Sequence, residues 1–132
     1  SGEVIDYRVW HVPLGRRFRS LKLWFVLRHY GAEGIRTFIR EHIRLADSFA
    51  SRIEGDSRFE MVAPHPFALV VFRHVAGNEA TTDLARRLND SGKVAVTPTT
   101  LGDTAAIRIS IGSGRTTEAH VAQLWAMIDE IA

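Results

Sequence analysis

Six histidines (His11, His29, His42, His65, His74, His120), two lysines (Lys22, Lys93) and fifteen arginines carry most of the side-chain chemistry open to this 132-residue chain, which has no cysteine. No H-E-x-x-H pair is present, and no thiol completes a zinc site, so structural roles are expected for the histidines and no metal is expected. Any covalent amine chemistry would have to use Lys22 or Lys93. The segment Gly112-Ser113-Gly114-Arg115 stands before a helix and could hold a phosphate on backbone N–H groups. A strand-to-helix turn explains the same glycines and is preferred, because the Gly-Lys-Ser/Thr element of a P-loop is missing. There is no G-x-S-x-G nucleophile turn.

Arg16, Arg17, Arg19 and Lys22 form a basic cluster next to Phe18, Leu21, Trp24 and Phe25. Phosphate binding needs such charges on a solvated surface, and a nucleic-acid arm would expose these apolar neighbours as well. An arginine-rich face that pairs with carboxylates at an interface fits better, so no nucleic-acid partner is expected. Arg108 lies in a segment where Ala106, Arg108 and Ser110 alternate with Ile107, Ile109 and Ile111. It points either to solvent or into a cleft that holds an anion, and periodicity alone does not choose.

The elements that must position these residues can be read from pattern. Hydrophobic residues make up 45% and charged residues 24% of the chain, with a formal net charge of +2, the balance of a folded soluble domain. The longest apolar run, residues 23–27, is far short of the roughly 18 needed to span a bilayer. The first residues lack a basic segment followed by an apolar core, so no secretory signal is expected. The lack of cysteine suits a cytoplasmic protein.

Residues 1–15, with Pro13 and Gly15, read as extended. A first helix is expected over 16–30, stopped by Gly31, with apolar positions on more than one stripe. A second follows Gly34, placing Ile35, Phe38, Ile39, His42, Ala46, Phe49, Ala50 and Ile53 inward and Arg36, Arg40, Arg44 and Asp47 outward. Strands are expected at 58–62 and 67–75, a helix over 78–91 with Leu84, Ala85 and Leu88 inward, and strands at 94–97 and 104–111. A last helix opens near Thr116 and buries Val121, Leu124 and Ile128. The order α-α-β-β-α-β-β-α describes an α+β layer: a small antiparallel or mixed sheet of about four strands covered by helices.

The stretch DYRVWHVPLGRRFRSLKLWFVLRHYG, residues 6–31, resembles the opening of the C-terminal domain of the group II pyridoxal-phosphate-dependent decarboxylases, aromatic L-amino-acid decarboxylases above all. The similarity continues through GIRTFIREHIRLADSF, RFEMV, LVVFR and IRISIGSGRTTEAHV, in order along the chain. Val9 and the turn Gly112-Ser113-Gly114 depart from the usual pattern, which bears on substrate preference.

The resemblance implies a small domain like that of aminotransferase-like, fold type I enzymes, occupying 16–132 after an extended segment, 1–15, that follows the mobile active-site loop. It implies that the cofactor lysine, in an Asn-Pro-His-Lys-type motif, belongs to a large domain outside this chain. No catalytic residue and no bound pyridoxal 5'-phosphate are then expected here, and the chain alone should be inactive. By the same resemblance, Asp6, Tyr7 and Arg8 lie at the hinge of the active-site loop. Arg108 lies where many aminotransferase-like relatives bind the substrate α-carboxylate. A decarboxylase must release that carboxylate, so Arg108 is assigned to the pocket wall or a structural pair. Arg16, Arg17, Arg19, Trp24 and Phe25 are assigned to contacts with the enzyme's own large domain and a second subunit of a homodimer. The implied function is a carboxy-lyase acting on aromatic L-amino acids. The alternative is a non-catalytic interaction or dimerisation module derived from the same domain.

Overall fold

The structure is a computed structural model that describes residues 18–132. Asp6, Tyr7, Arg8, Arg16, Arg17 and the segment expected to be extended lie outside the described residues. The chain divides into two compact units, one reaching to Arg36 and one running from Thr37 to Ala132.

Helix α1, Arg19–Glu54, passes through both units and is interrupted at Gly31 (φ 66°, ψ 170°). That combination is open only to glycine. No atom would meet a Cβ there within 4 Å, so backbone conformation rather than space requires the glycine. The break falls where the sequence places it. Beyond it, His42, Leu45, Ala46, Phe49, Ala50 and Ile53 form the buried stripe. Phe38 and Ile39, expected inward, are exposed, and Leu45, not singled out, is fully buried. The three- and four-residue spacing holds across this stripe, but the helix is longer than the core it covers.

The remaining elements are β1 (Phe59–Met61), β2 (Leu69–His74), α2 (Asn78–Asp90), β3 (Thr97–Leu101), β4 (Thr104–Ser110) and α3 (Glu118–Ile131). The four strands form one sheet in the order β1-β2-β4-β3, with every pairing antiparallel. The α+β layer read from the sequence is therefore the fold, with the two expected N-terminal helices appearing as one interrupted helix.

Side chains alternate across the sheet. Phe72, Ile107 and Ile109 are buried on the face that packs against helices, together with Leu84, Ala85 and Leu88 of α2 and Val121 and Ile128 of α3. Four aromatic rings close the core in a cycle of edge contacts. Phe49 of α1 meets Phe72 of β2 and Trp125 of α3 at 6.0 and 6.3 Å, and Phe59 of β1 meets the same two at 5.7 and 6.1 Å. Such pairs add about 0.5–1.5 kcal/mol each beyond the area they bury.

The third strand corrects the sequence reading. Pairing starts at Thr97 and runs to Leu101, not over 94–97. Val96 is buried and Val94 partly so, but their backbone does not join the ladder. Instead Asn89 of α2 takes the place of a strand: its Oδ1 accepts from the Val96 N–H at 2.8 Å and its Nδ2 donates to the Val96 carbonyl at 3.0 Å. The strand that does pair is an edge carrying Pro98, as edges tolerate. It turns into β4 through Gly102 (φ 59°) and Asp103, with glycine first as a type II′ hairpin needs. The helix α3 cap is Thr117, one residue past the expected Thr116. His120 Nδ1 accepts from the Thr117 N–H at 3.1 Å, so a histidine completes the cap.

Arg58 ties the start of β1 to the end of α3. Its guanidinium meets Asp56 at 2.6 Å and Asp129 at 2.5 Å, and its own N–H donates to Asp56 Oδ1 at 2.9 Å. These bonds from Arg58 hold the Asp56 carboxyl down at about 2, from an ordinary 3.8.

Asn89→Ala should destabilise the fold by about 1–3 kcal/mol, because two backbone groups of Val96 lose their partner; urea denaturation measures it, and a loss below about 0.5 kcal/mol would mean water replaces Asn89. Asp56 has a folded pKa below its unfolded one, so its contribution is whole above about pH 4 and disappears as pH falls towards 2. The urea midpoints of the parent and Asp56→Asn should therefore differ at neutral pH and converge across that window.

Candidate functional site

The helices cover one face of the sheet only, so the other face is where β-strand side chains can meet something else. On it Glu60 of β1 and Arg73 of β2 stand opposite each other and form an ion pair. Arg108 of β4 faces Val71 of β2 on one side and Thr97 of β3 on the other. It is exposed and has no hydrogen bond or ion pair with another described residue. Thr99 and Ser110 share this face by alternation. On this strand face the Arg108 guanidinium has no partner among the described residues and is able to meet an anion or a carboxylate.

The second feature belongs to the N-terminal unit. Phe18 is 72% exposed, Trp24 52% and Phe25 57%, and Leu21, Leu23, Val26, Leu27 and Tyr30 are exposed too. Trp24 and Phe25 meet edge to face at 5.1 Å, and the Arg28 guanidinium lies 5.8 Å over the Trp24 ring. Phe18, Leu21, Leu23, Trp24 and Leu27 frame an open, almost wholly apolar groove of about 460 Å³. Large apolar residues fall on several sides of this helix among Arg19, Lys22, Arg28 and His29, and exposed apolar surface of this extent marks an interaction site. Arg19, at the start of α1, is exposed beside it.

The described histidines take structural places. His42 is buried with its ring 4.1 Å from that of Phe38. His74 Nδ1 accepts from the Ala76 N–H at 3.0 Å, His120 caps α3, and His29 packs edge-on to Tyr30 at 4.6 Å. His65 stands 3.6 Å from Asp47. No group of three metal-ligating side chains occurs among the described residues. A lysine that forms a Schiff base is desolvated in a pocket. Lys22 and Lys93 are both exposed, so neither fits that part. Two structural links escaped the sequence reading, Asn89 with Val96 and Arg58 with Asp129, because each joins residues that no local spacing connects.

A family model, the pyridoxal-dependent decarboxylase conserved domain, matches residues 1–75. The chain belongs to this family. The pyridoxal-dependent decarboxylases it resembles include aromatic-L-amino-acid decarboxylase of Mus musculus, 40% identical over 100% of this chain and 28% of that protein. Phenylacetaldehyde synthase of Arabidopsis thaliana is 44% identical over 98% of this chain and 28% of its own length. Among solved structures, Oryza sativa TDC with PLP and tryptamine superposes with a TM-score of 0.83 at 39% identity, covering 98% of this chain and 29% of that one. The chain thus spans a little over a quarter of the relatives it matches, and family and fold agree with the resemblance read from the sequence.

The apolar helix gives a prediction for this chain by itself. It should self-associate in the micromolar range, and Trp24→Lys with Phe25→Lys should shift it towards monomer by sedimentation velocity. A clean monomer for the parent at high concentration would overturn the reading of that surface.

Proposed function

We propose that this chain is the C-terminal, small-domain part of a pyridoxal-phosphate-dependent carboxy-lyase acting on aromatic L-amino acids, and that the whole enzyme is a cytoplasmic homodimer. The observation that carries the reading is coverage: relatives named for tryptophan, tyrosine and aromatic-L-amino-acid decarboxylation align over the full chain at about 40% identity. In this reading residues 16–132 form the small domain and 1–15 the segment that follows the active-site loop. The coenzyme, an electron sink for the carbanion left when CO2 departs, is held by a large domain. This chain contributes framing. Asp6, Tyr7 and Arg8 lie at the mouth of the active site, and Arg108 contributes to the pocket wall or to a pair with the large domain. Arg16, Arg17, Arg19, Trp24 and Phe25 meet the large domain and the second subunit.

A second reading, a docking or dimerisation module that kept the domain and lost catalysis, rests on the exposed apolar surface of Phe18, Leu21, Leu23, Trp24 and Leu27. A preceding reading frame with a cofactor lysine separates the two.

The test is the full reading frame, expressed and supplied with pyridoxal 5'-phosphate and L-tryptophan, L-tyrosine or L-DOPA. CO2 release with formation of the matching amine is expected. Aldehyde in place of amine would assign the protein to the reaction its Arabidopsis relative is named for, and no CO2 from any of the three would overturn the proposal. The 132-residue chain alone should give neither coenzyme absorbance nor CO2; turnover by it would refute the assignment of chemistry to another domain.

A further inference from the structure

The connection between β1 and β2, residues 62–68, reads Val-Ala-Pro-His-Pro-Phe-Ala. Among the described residues it carries the one buried side-chain polar atom without a hydrogen-bond partner, His65 Nδ1. The Asp47 carboxylate of α1 stands 3.6 Å from that nitrogen, inside ion-pair range and too long for a hydrogen bond. The imidazole is a quarter exposed, at 26%, so water reaches part of the ring but not this atom.

The two tautomers differ sharply here. With the proton on Nε2, Nδ1 presents a buried lone pair to a carboxylate oxygen, an acceptor facing an acceptor. With the proton on Nδ1, the same atoms attract, and an approach of well under ~1 Å gives a charge-assisted bond. We propose that His65 carries its proton on Nδ1 and donates to Asp47, strapping the β1–β2 connection to α1.

The surroundings favour this. Glu54, two turns beyond Asp47 on α1, lines the same open cavity of about 650 Å³ as His65. The rest of that lining, from Met61 to Pro66, carries no other charged side chain. The charged side chains on the ring's side of α1 are Asp47, 3.6 Å from Nδ1, and Glu54, which shares its cavity. A neutral ring with its proton on Nδ1 and a doubly protonated ring both keep the Nδ1–H, so the strap holds in either state. Asp47 is itself seated, its main-chain carbonyl accepting from Ser51 Oγ at 2.9 Å. Pro64 and Pro66 leave the connection few conformations, so one side-chain bond suffices to fix it. β2 begins at Leu69, four residues after His65, and runs between β1 and β4. The strap thus makes His65 a positioning residue for the strand that faces Arg108.

The test is hydrogen exchange in the intact protein at Val62 and Ile111, whose N–H groups donate to the Val71 and Ala68 carbonyls at the two ends of the connection, with the ring nitrogens read by NMR of ¹⁵N-histidine. His65→Asn places an amide N–H where Nδ1–H stands, and Asp47→Asn keeps an acceptor; both should exchange like the parent. His65→Gln reaches to the Nε2 position instead, and with Asp47→Ala it should speed exchange about tenfold, the loss of one hydrogen bond. The neutral parent should show the proton on Nδ1. A proton on Nε2 would overturn the proposal. So would His65→Asn exchanging as fast as His65→Gln, or all four variants matching the parent.

Discussion

The contact on which the rest of the fold depends is the cycle of four aromatic rings, Phe49, Phe72, Phe59 and Trp125. These residues come from α1, β2, β1 and α3, elements separated in sequence, and no two of the rings can move without opening a gap against the others. Dense packing makes such a gap costly: removing one buried phenylalanine leaves a cavity worth about 3–5 kcal/mol. Because the rings lie on one side of the sheet, they commit every strand's apolar set to that side. Ile107 and Ile109 follow Phe72 inward, and Arg108, between them, is sent outward by the two-residue period of the strand. The exposed guanidinium is therefore a consequence of the core.

Much of this was legible because packing writes a period into the chain. The alternation of Ile107, Ile109 and Ile111, and the stripe His42, Ala46, Phe49, Ala50 and Ile53, each point to one buried face. The third strand was misplaced for a physical reason. Val94 and Val96 look like a strand because they are apolar and β-branched, and they do enter the core. Burial and pairing are separate properties, however, and here Asn89 satisfies the Val96 backbone that a neighbouring strand would have satisfied. The edge that pairs, Thr-Pro-Thr-Thr-Leu, is mostly exposed, so no hydrophobic period marks it. Phe38 and Ile39 failed in the opposite way: they obey the helical period but lie beyond the end of the core.

The candidate site was legible to a different degree at each place. The apolar character around Trp24 and Phe25 is plain from the run of large apolar residues, which fall on more than one stripe of the helix. Arg108 is legible as a strand residue facing away from Ile107, Ile109 and Ile111, whereas periodicity does not say whether that face meets solvent or a cleft. Arg58 with Asp129 and His65 with Asp47 were not legible. Their partners are 71 and 18 residues apart in sequence, and only the packing of α3 and α1 against the sheet brings them together.

The two exposed surfaces differ in what they demand of a neighbour. The open sheet face is polar at its edges and carries charges, so water satisfies it, and antiparallel sheets commonly leave one face wet. The apolar stretch from Phe18 through the first turns of α1 has no such alternative. At 100° per residue, Leu21, Leu23 and Val26 point in well-separated directions, with Trp24 in a fourth sector. A symmetric contact along a single seam covers one of these directions and leaves the rest in water. Enclosure on several sides removes them all, and that calls for a concave neighbour. A family whose members are more than three times the length of this chain supplies room for such a neighbour within one subunit. The glycine at position 31 breaks α1 between this exposed apolar stretch and the amphipathic stripe that packs on the core.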